Sequence, residues 1–286
     1  MYPRHCEARS AEAIQKNYYI NQMKTEYFKE YSKNLNREME FKVYGHAGKP
    51  VLMFPTQCCR FYEFEDKHMI DVYAPYIEQG KVQVFAIDSV DSETYVSDGD
   101  CRGRIWWYEQ WIKYVVEEAI PRFLQISAAA NKNAANNNAA NDTAANGKIK
   151  KFIAVGESMG ALHASTVYFR FPDFFDGLLC LSGLYTNEYY FGGYHDDLTY
   201  INSPQQFIKN MPADHPYINK YLKSEIIICV GQGAWESECV DSTRVFAGAL
   251  AEKNIGARVE FWGDDVNHDW DWWFVQTAKF LPALIK

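Results

Sequence analysis

The sequence predicts an α/β architecture: a mostly parallel sheet of about eight strands flanked by helices on both faces. Three observations carry that expectation. Short apolar runs recur at spacings long enough to hold a helix, as parallel strands with crossover connections require. Amphipathic helical patterns fill the intervals between them. Two alternating runs near the start read instead as an antiparallel pair, because only a short polar link joins them.

The pair is "TEYFKEYS" (25–32) and "REMEFKVYG" (37–45), linked by residues 33–36. Six apolar strands follow: "VLMF" (51–54), "VQVFAID" (82–88), "FIAVG" (152–156), "LLCLSG" (178–183), "EIIICVG" (225–231) and "RVEFWG" (258–263). Helices are expected over roughly 62–77, 104–126, 159–171, 240–254 and 270–285. Pair, strands and helices together make a doubly wound sandwich. The segment "SAAANKNAANNNAANDTAANGK" (127–148) has almost no large apolar side chain to bury, so it reads as a flexible surface insertion without a catalytic role. The first 22 residues are polar and carry no clear period. Their run "RHCEARSAEAIQ" resembles translated palindromic repeat elements of bacterial genomes, so Met23 is a candidate start and 1–22 an extension outside the fold, disordered or not native. Residues 23–286 are then one domain.

Composition narrows the function classes. Lys and Arg number 29 against 37 Asp and Glu, a net charge of -8, and no basic stripe offsets it. A nucleic-acid or anionic-membrane partner needs a basic surface, so neither is expected. The cysteines at 6, 58, 59, 101, 180, 229 and 239 are odd in number and lack metal-type spacing, and they read as reduced. With no signal-like apolar core and no run of membrane-spanning length, a cytoplasmic location is expected.

The chemistry centres on "KKFIAVGESMGALHASTVYFRFP" (150–172), where a strand runs into Gly-Glu-Ser-Met-Gly and then into a helix. A sharp strand-to-helix reversal strains the residue at its apex, and small neighbours make room for it. Gly156 and Gly160 supply that room around Ser158, and the Met159 amide lies at the positive end of the following helix. A serine hydroxyl needs a base to take its proton and a carboxylate to orient that base. His268, in "WGDDVNHDWDWW" just past the last strand, is placed for the base. His163 falls on the helix after Ser158 and reads as packed, while His195 and His215 lie in an irregular, cap-like region. For the acid, "CVGQGAWESECVDST" offers Glu236 in the loop after its strand. Glu238 is the alternative, though it also suits a helix start, and Asp241 lies further into that helix. Acyl transfer also needs oxyanion donors: the Met159 amide and one from "FPTQCCRFYEFED", with Gln57 chosen and Thr56 or Cys58 the alternatives. Neither Cys58 nor Cys59 has a histidine placed to activate it. No metal is expected either, since "GDDVNHD" lacks a second histidine at ligand spacing.

These segments, "VLMFPTQCCRFYEFED", "GESMGALHASTVYFRFPDFFDGLLCLSGLY", "GQGAWE" and "VNHDWDWW", together resemble the putative-esterase branch of the α/β-hydrolases, the esterase D-like and antigen 85-like enzymes. The likeness runs from about residue 25 to the end, apart from the Ala/Asn segment. It implies an α/β-hydrolase fold and cofactor-free hydrolysis of carboxylic esters by a serine esterase. By that similarity Ser158 is the nucleophile, His268 the base and Glu236 the acid. The chain departs from the family at Cys58 and Cys59, where glycines are common, and a positive backbone dihedral there would strain a cysteine. The implied partner is a small-molecule ester, and Tyr189 and Tyr190, in the aromatic stretch 183–204, are candidates to shape its pocket. An acyltransferase with the same triad and a non-catalytic binding protein on the same scaffold are the rival readings. The oligomeric state stays open, a homo-oligomer included.

Overall fold

The computed structural model describes residues 23–136 and 151–285, so the 1–22 extension and the rest of the Ala/Asn segment lie outside the described residues. In chain order the elements are β1 (Thr25–Ser32), β2 (Arg37–Tyr44), β3 (Lys49–Phe54), α1 (Glu63–Asp66), α2 (Met69–Glu78), β4 (Val82–Ile87), a 3-10 turn (Asp91–Glu93), α3 (Cys101–Lys113), a π-helical turn (Tyr114–Ala119) and α4 (Ile120–Asn136). There follow β5 (Phe152–Glu157), α5 (Met159–Arg170), β6 (Phe175–Leu181), α6 (Glu188–Phe191), α7 (Asp197–Ile201), α8 (Pro204–Asn210), α9 (Ile218–Tyr221), β7 (Glu225–Val230), α10 (Ser237–Glu252), β8 (Arg258–Phe261) and α11 (Trp270–Leu284).

All eight strands form one sheet in the order β1-β2-β4-β3-β5-β6-β7-β8. The β1–β2 and β2–β4 pairings are antiparallel, and every pairing from β4 to β8 is parallel. Central strands are covered on both faces, which is why β5 is buried at all six positions and reads as a continuous apolar run rather than an alternating one. One face packs Phe85, Trp111, Phe123 and Phe152 under the α3–α4 and α5 helices. The other packs Tyr73, Val155, Trp273 and Phe280 under α2 and α11. Because β3 lies between β4 and β5, the loop after β3 is brought beside the carboxyl end of β5.

Three local expectations are corrected. The helix expected over 62–77 is two helices, because His68 adopts a left-handed φ of 65° that interrupts the hydrogen-bond ladder. The helix expected over 104–126 starts at Cys101, where the Asp100 carboxylate accepts from the Gly103 amide at 2.9 Å, and runs on to Asn136. It thus takes in the first ten residues of the supposed flexible insertion, since alanines prolong a helix already anchored by its packed part. Its π-helical turn ends two residues before Pro121, which has no N–H to give to the ladder. The irregular cap is built of four short helices, α6 to α9. Among the described residues no helix is long and apolar enough to cross a membrane.

Candidate active site

Ser158 stands at the turn between β5 and α5 with φ 54° and ψ -124°, a conformation that costs a non-glycine residue about 1–3 kcal/mol. The flanking glycines show why the sequence needs them. A Cβ on Gly156 would lie 2.1 Å from the Gly160 carbonyl oxygen, and one on Gly160 would lie 2.2 Å from the Phe54 carbonyl oxygen. That second contact seats the end of β3 against the first turn of α5.

The structure brings Ser158, His268 and Glu236 together from three loops at the carboxyl edge of the sheet. His268 Nε2 lies 2.9 Å from Ser158 Oγ, and His268 Nδ1 lies 3.2 Å from Glu236 Oε2. Glu236 is fully buried, whereas the His268 side chain keeps 19% of its surface exposed. A carboxylate only accepts, so Nδ1 carries the proton toward Glu236 and, in the neutral ring, Nε2 is left to take the serine proton. The loops that carry Glu236 and His268 are laced together: the Gly233 amide donates to the Val266 carbonyl at 2.8 Å, the Ala234 amide to Asn267 Oδ1 at 2.8 Å, and the His268 amide to the Ala234 carbonyl at 3.0 Å. Glu238 lies apart from this set. It is exposed, accepts from its neighbour Ser237 at 2.8 Å, and that hydroxyl lowers its carboxyl below the usual range. Asp241 is exposed and pairs with Arg244.

Sequence reasoning missed the residues behind Glu236. Ser182 donates to Glu236 Oε1, and Trp273 Nε1 donates to Ser182 Oγ at 3.0 Å, so the carboxylate has a partner on each oxygen. The Trp273 ring also meets His268 edge to face at 5.0 Å. The serine closing "LCLS" and the tryptophan four residues before Thr277 carry no motif that would reveal this pairing, because the contact spans 91 residues.

The candidate oxyanion donors can be sorted by which amides are already taken. In the loop after β3, the Thr56 amide donates to Glu63 Oε2 at 2.9 Å, the Cys58 amide to Asp91 Oδ2 at 3.1 Å, the Cys59 amide to the Thr56 carbonyl at 3.0 Å and the Phe61 amide to Asp88 Oδ1 at 2.9 Å. Among the described residues none accepts from the Gln57 amide. Thr56 and Cys58 are therefore spoken for, which keeps Gln57 and the first-turn amide of Met159 as the candidate donors. Cys58 adopts φ 59°, the strained geometry that a glycine would relieve.

Burial raises the thiols near this site. Burial pushes Cys59 up to about 11, and burial followed by the Glu236 charge pushes Cys239 up further, although its sulfur lies 4.0 Å from His268 Nδ1. Glu236, Cys239 and His268 are the one group among the described residues whose ligating atoms gather within 4.8 Å of one another. A metal there would have to take Nδ1 from Glu236 and so dismantle the pairing. Glu157, next to Ser158, is fully buried with both carboxyl oxygens unpartnered among the described residues. Burial and then the Glu63 charge push it up to about 8. Tyr190 is half-buried, its ring meeting Tyr95 at 5.0 Å, and burial raises its phenol first, followed by the Asp91 charge. Tyr189 is 68% exposed and meets the Tyr190 ring edge to face at 5.1 Å.

No protein-family model and no curated protein sequence matches the chain. Solved structures do. A ferulic acid esterase superposes with a TM-score of 0.66 at 14% identity, over 92% of this chain and 97% of that one. An S-formylglutathione hydrolase from Agrobacterium tumefaciens gives 0.66 at 15%, over 91% and 94%. MPT51 (FbpC1) of Mycobacterium tuberculosis gives 0.59 at 15%, over 92% and 98%. The chain has the α/β-hydrolase fold. Its likeness falls among the esterase D-like and antigen 85-like structures of that fold, and the α/β-hydrolase strand order accounts for the site's position at the carboxyl ends of β3, β5, β7 and β8.

Proposed function

We propose that this protein is a serine esterase that hydrolyses small carboxylic esters through an acyl-enzyme. The observation that carries the reading is the continuous chain from Ser158 Oγ through the His268 ring to the buried Glu236 carboxylate. Ser158 attacks the ester carbonyl as His268 Nε2 takes its proton. Developing charge on the carbonyl oxygen meets the Met159 and Gln57 amides, the first reinforced by the amino end of α5. His268 then returns the proton to the departing alcohol, and Glu236 stabilises the imidazolium in between. Water activated by His268 repeats the sequence on the acyl-enzyme and frees Ser158. The triad alone does not separate water from an alcohol as the acceptor, so product analysis with added acceptor alcohols distinguishes hydrolysis from acyl transfer.

Aromatic surface from Tyr190 and, at the rim, Tyr189 shapes the pocket in this reading. The ferulic acid esterase and the S-formylglutathione hydrolase among the structural neighbours support an ester or thioester substrate of modest size. The test is labelling with a fluorophosphonate probe mapped by mass spectrometry, beside hydrolysis of a short-chain aryl acetate. Labelling at Ser158, with both labelling and hydrolysis lost in Ser158→Ala, is the expected result. A wild-type protein that neither labels nor hydrolyses overturns the reading.

A further inference from the structure

A second carboxylate–histidine pair lies beneath the site, and the triad makes no use of it. His163 Nε2 is 2.9 Å from Asp91 Oδ1, and His163 Nδ1 is 2.9 Å from the Tyr108 hydroxyl. Both members are buried, His163 completely and Asp91 to within 1%. As a carboxylate only accepts, Nε2 donates to Asp91, and in the neutral ring Nδ1 accepts from Tyr108. The other Asp91 oxygen, Oδ2, accepts from the Cys58 amide at 3.1 Å and from Ser89 Oγ at 3.1 Å.

What these contacts join is specific. His163 is on α5, the helix whose first residue is Met159. Cys58 directly follows Gln57. The path from His163 through Asp91 to the Cys58 amide is therefore a strut between the two elements that supply the oxyanion donors. The loop needs one: on its outer side a cleft of about 310 Å³, bordered by Cys58, Cys59, Arg60 and Ser89, leaves it unpacked, and Cys58 is held at φ 59° against its own preference. With the Cys58 amide turned inward onto Asp91, the preceding Gln57 amide is left unclaimed.

We infer that Asp91, braced by His163, is a positioning residue that sets the Gln57 amide relative to the Met159 amide and so tunes oxyanion stabilisation. The inference rests on the serine-esterase reading above. In Asp91→Asn the side chain can no longer accept from both His163 and the Cys58 amide, and the strut loosens without a change of volume. A donor displaced by a fraction of an ångström stabilises the transition state less while ground-state binding is little altered.

The test compares wild type, Asp91→Asn and His163→Gln, with Ser165→Ala as a buried control on the same helix that touches neither partner. Folding is checked by circular dichroism and thermal unfolding. Each protein is assayed for kcat and KM on an aryl acetate, and for inhibition by an aryl trifluoromethyl ketone, which adds to the serine as a hemiketal oxyanion. The expected result is kcat lower by about 10–100-fold, less than the loss from deleting a donor outright. KM should stay within about twofold and the ketone should weaken in step with kcat. The control should lose stability but not kcat. Should Asp91→Asn not fold, His163→Gln carries the comparison. Folded variants with wild-type kcat and ketone affinity overturn this inference alone. A wild-type protein that fails both fluorophosphonate labelling and hydrolysis removes the esterase reading and this inference with it.

Discussion

His268 and His163 sit in nearly the same constellation and face opposite fates. Each ring has a carboxylate on one nitrogen and a hydroxyl on the other: Glu236 at 3.2 Å and Ser158 at 2.9 Å for His268, Asp91 and Tyr108, both at 2.9 Å, for His163. Only His268 is open to solvent, and only its hydroxyl stands at the amino end of a helix beside unclaimed amides. The hydroxyl facing His163 is a phenol that burial raises far above its ordinary range. Hydrogen-bond geometry alone does not make a nucleophile. Access for a substrate and a place for the negative charge to go are what separate a reactive triad from a structural one.

The comparison can be broken in several ways, and the largest effect should come from the open site. His268→Ala is expected to lower kcat/KM by about 10⁴-fold or more while shifting stability little, measured by steady-state kinetics beside urea unfolding. Glu236→Gln should cost about 10³–10⁴-fold, because an amide cannot hold the imidazolium or fix its tautomer, whereas Glu238→Gln should stay within about twofold. The closed site should answer with stability instead: His163→Ala takes the donor from Asp91 Oδ1 and the acceptor from the Tyr108 hydroxyl and leaves a cavity, and should cost about 3–5 kcal/mol in urea unfolding.

An effect of similar size, but present only as the pH rises, is expected from Glu157. The folded carboxyl keeps its proton up to about pH 8, while the unfolded one releases it near 4.5. Ionisation therefore opposes folding, and the stability present below pH 4.5 is lost as the pH rises through 8. Glu157→Gln abolishes that slope, so its stability relative to wild type should rise by about 4.5 kcal/mol between pH 4 and pH 9. Smallest should be the pocket: Tyr190→Ala is expected to change the ratio of kcat/KM for short and aromatic acyl groups by about tenfold, and Tyr189→Ala by less, since its ring is mostly in water. Unchanged preference in both variants would remove the two tyrosines from the pocket.

The parts of the site that could be read along the chain are those whose chemistry leaves a local mark. Gly156 and Gly160 flank Ser158 because any side chain there would overlap backbone, and that constraint is written within five residues. The β1–β2 pair and the parallel strands were legible from alternation and from apolar runs. Hidden from such reading were the contacts that close over long separations. Asp91 meets His163 across 72 residues, and Trp273 meets Ser182 across 91, with no fixed spacing to signal either. The break at His68 and the helix running into the Ala/Asn segment were also misread, because a single left-handed residue and a propagating helix depend on what the neighbours anchor.

By itself, then, the sequence determined the fold class, the strained serine turn and a short set of candidates for base and acid, all consequences of local sterics and of the burial pattern of strands and helices. Only the tertiary structure set Glu236, and not Glu238, beside His268 and turned the Cys58 amide onto Asp91, while none of the described residues accepts from the Gln57 amide. Those outcomes depend on which groups the sheet order brings within about 3 Å of each other, and hydrogen bonds act only over that distance.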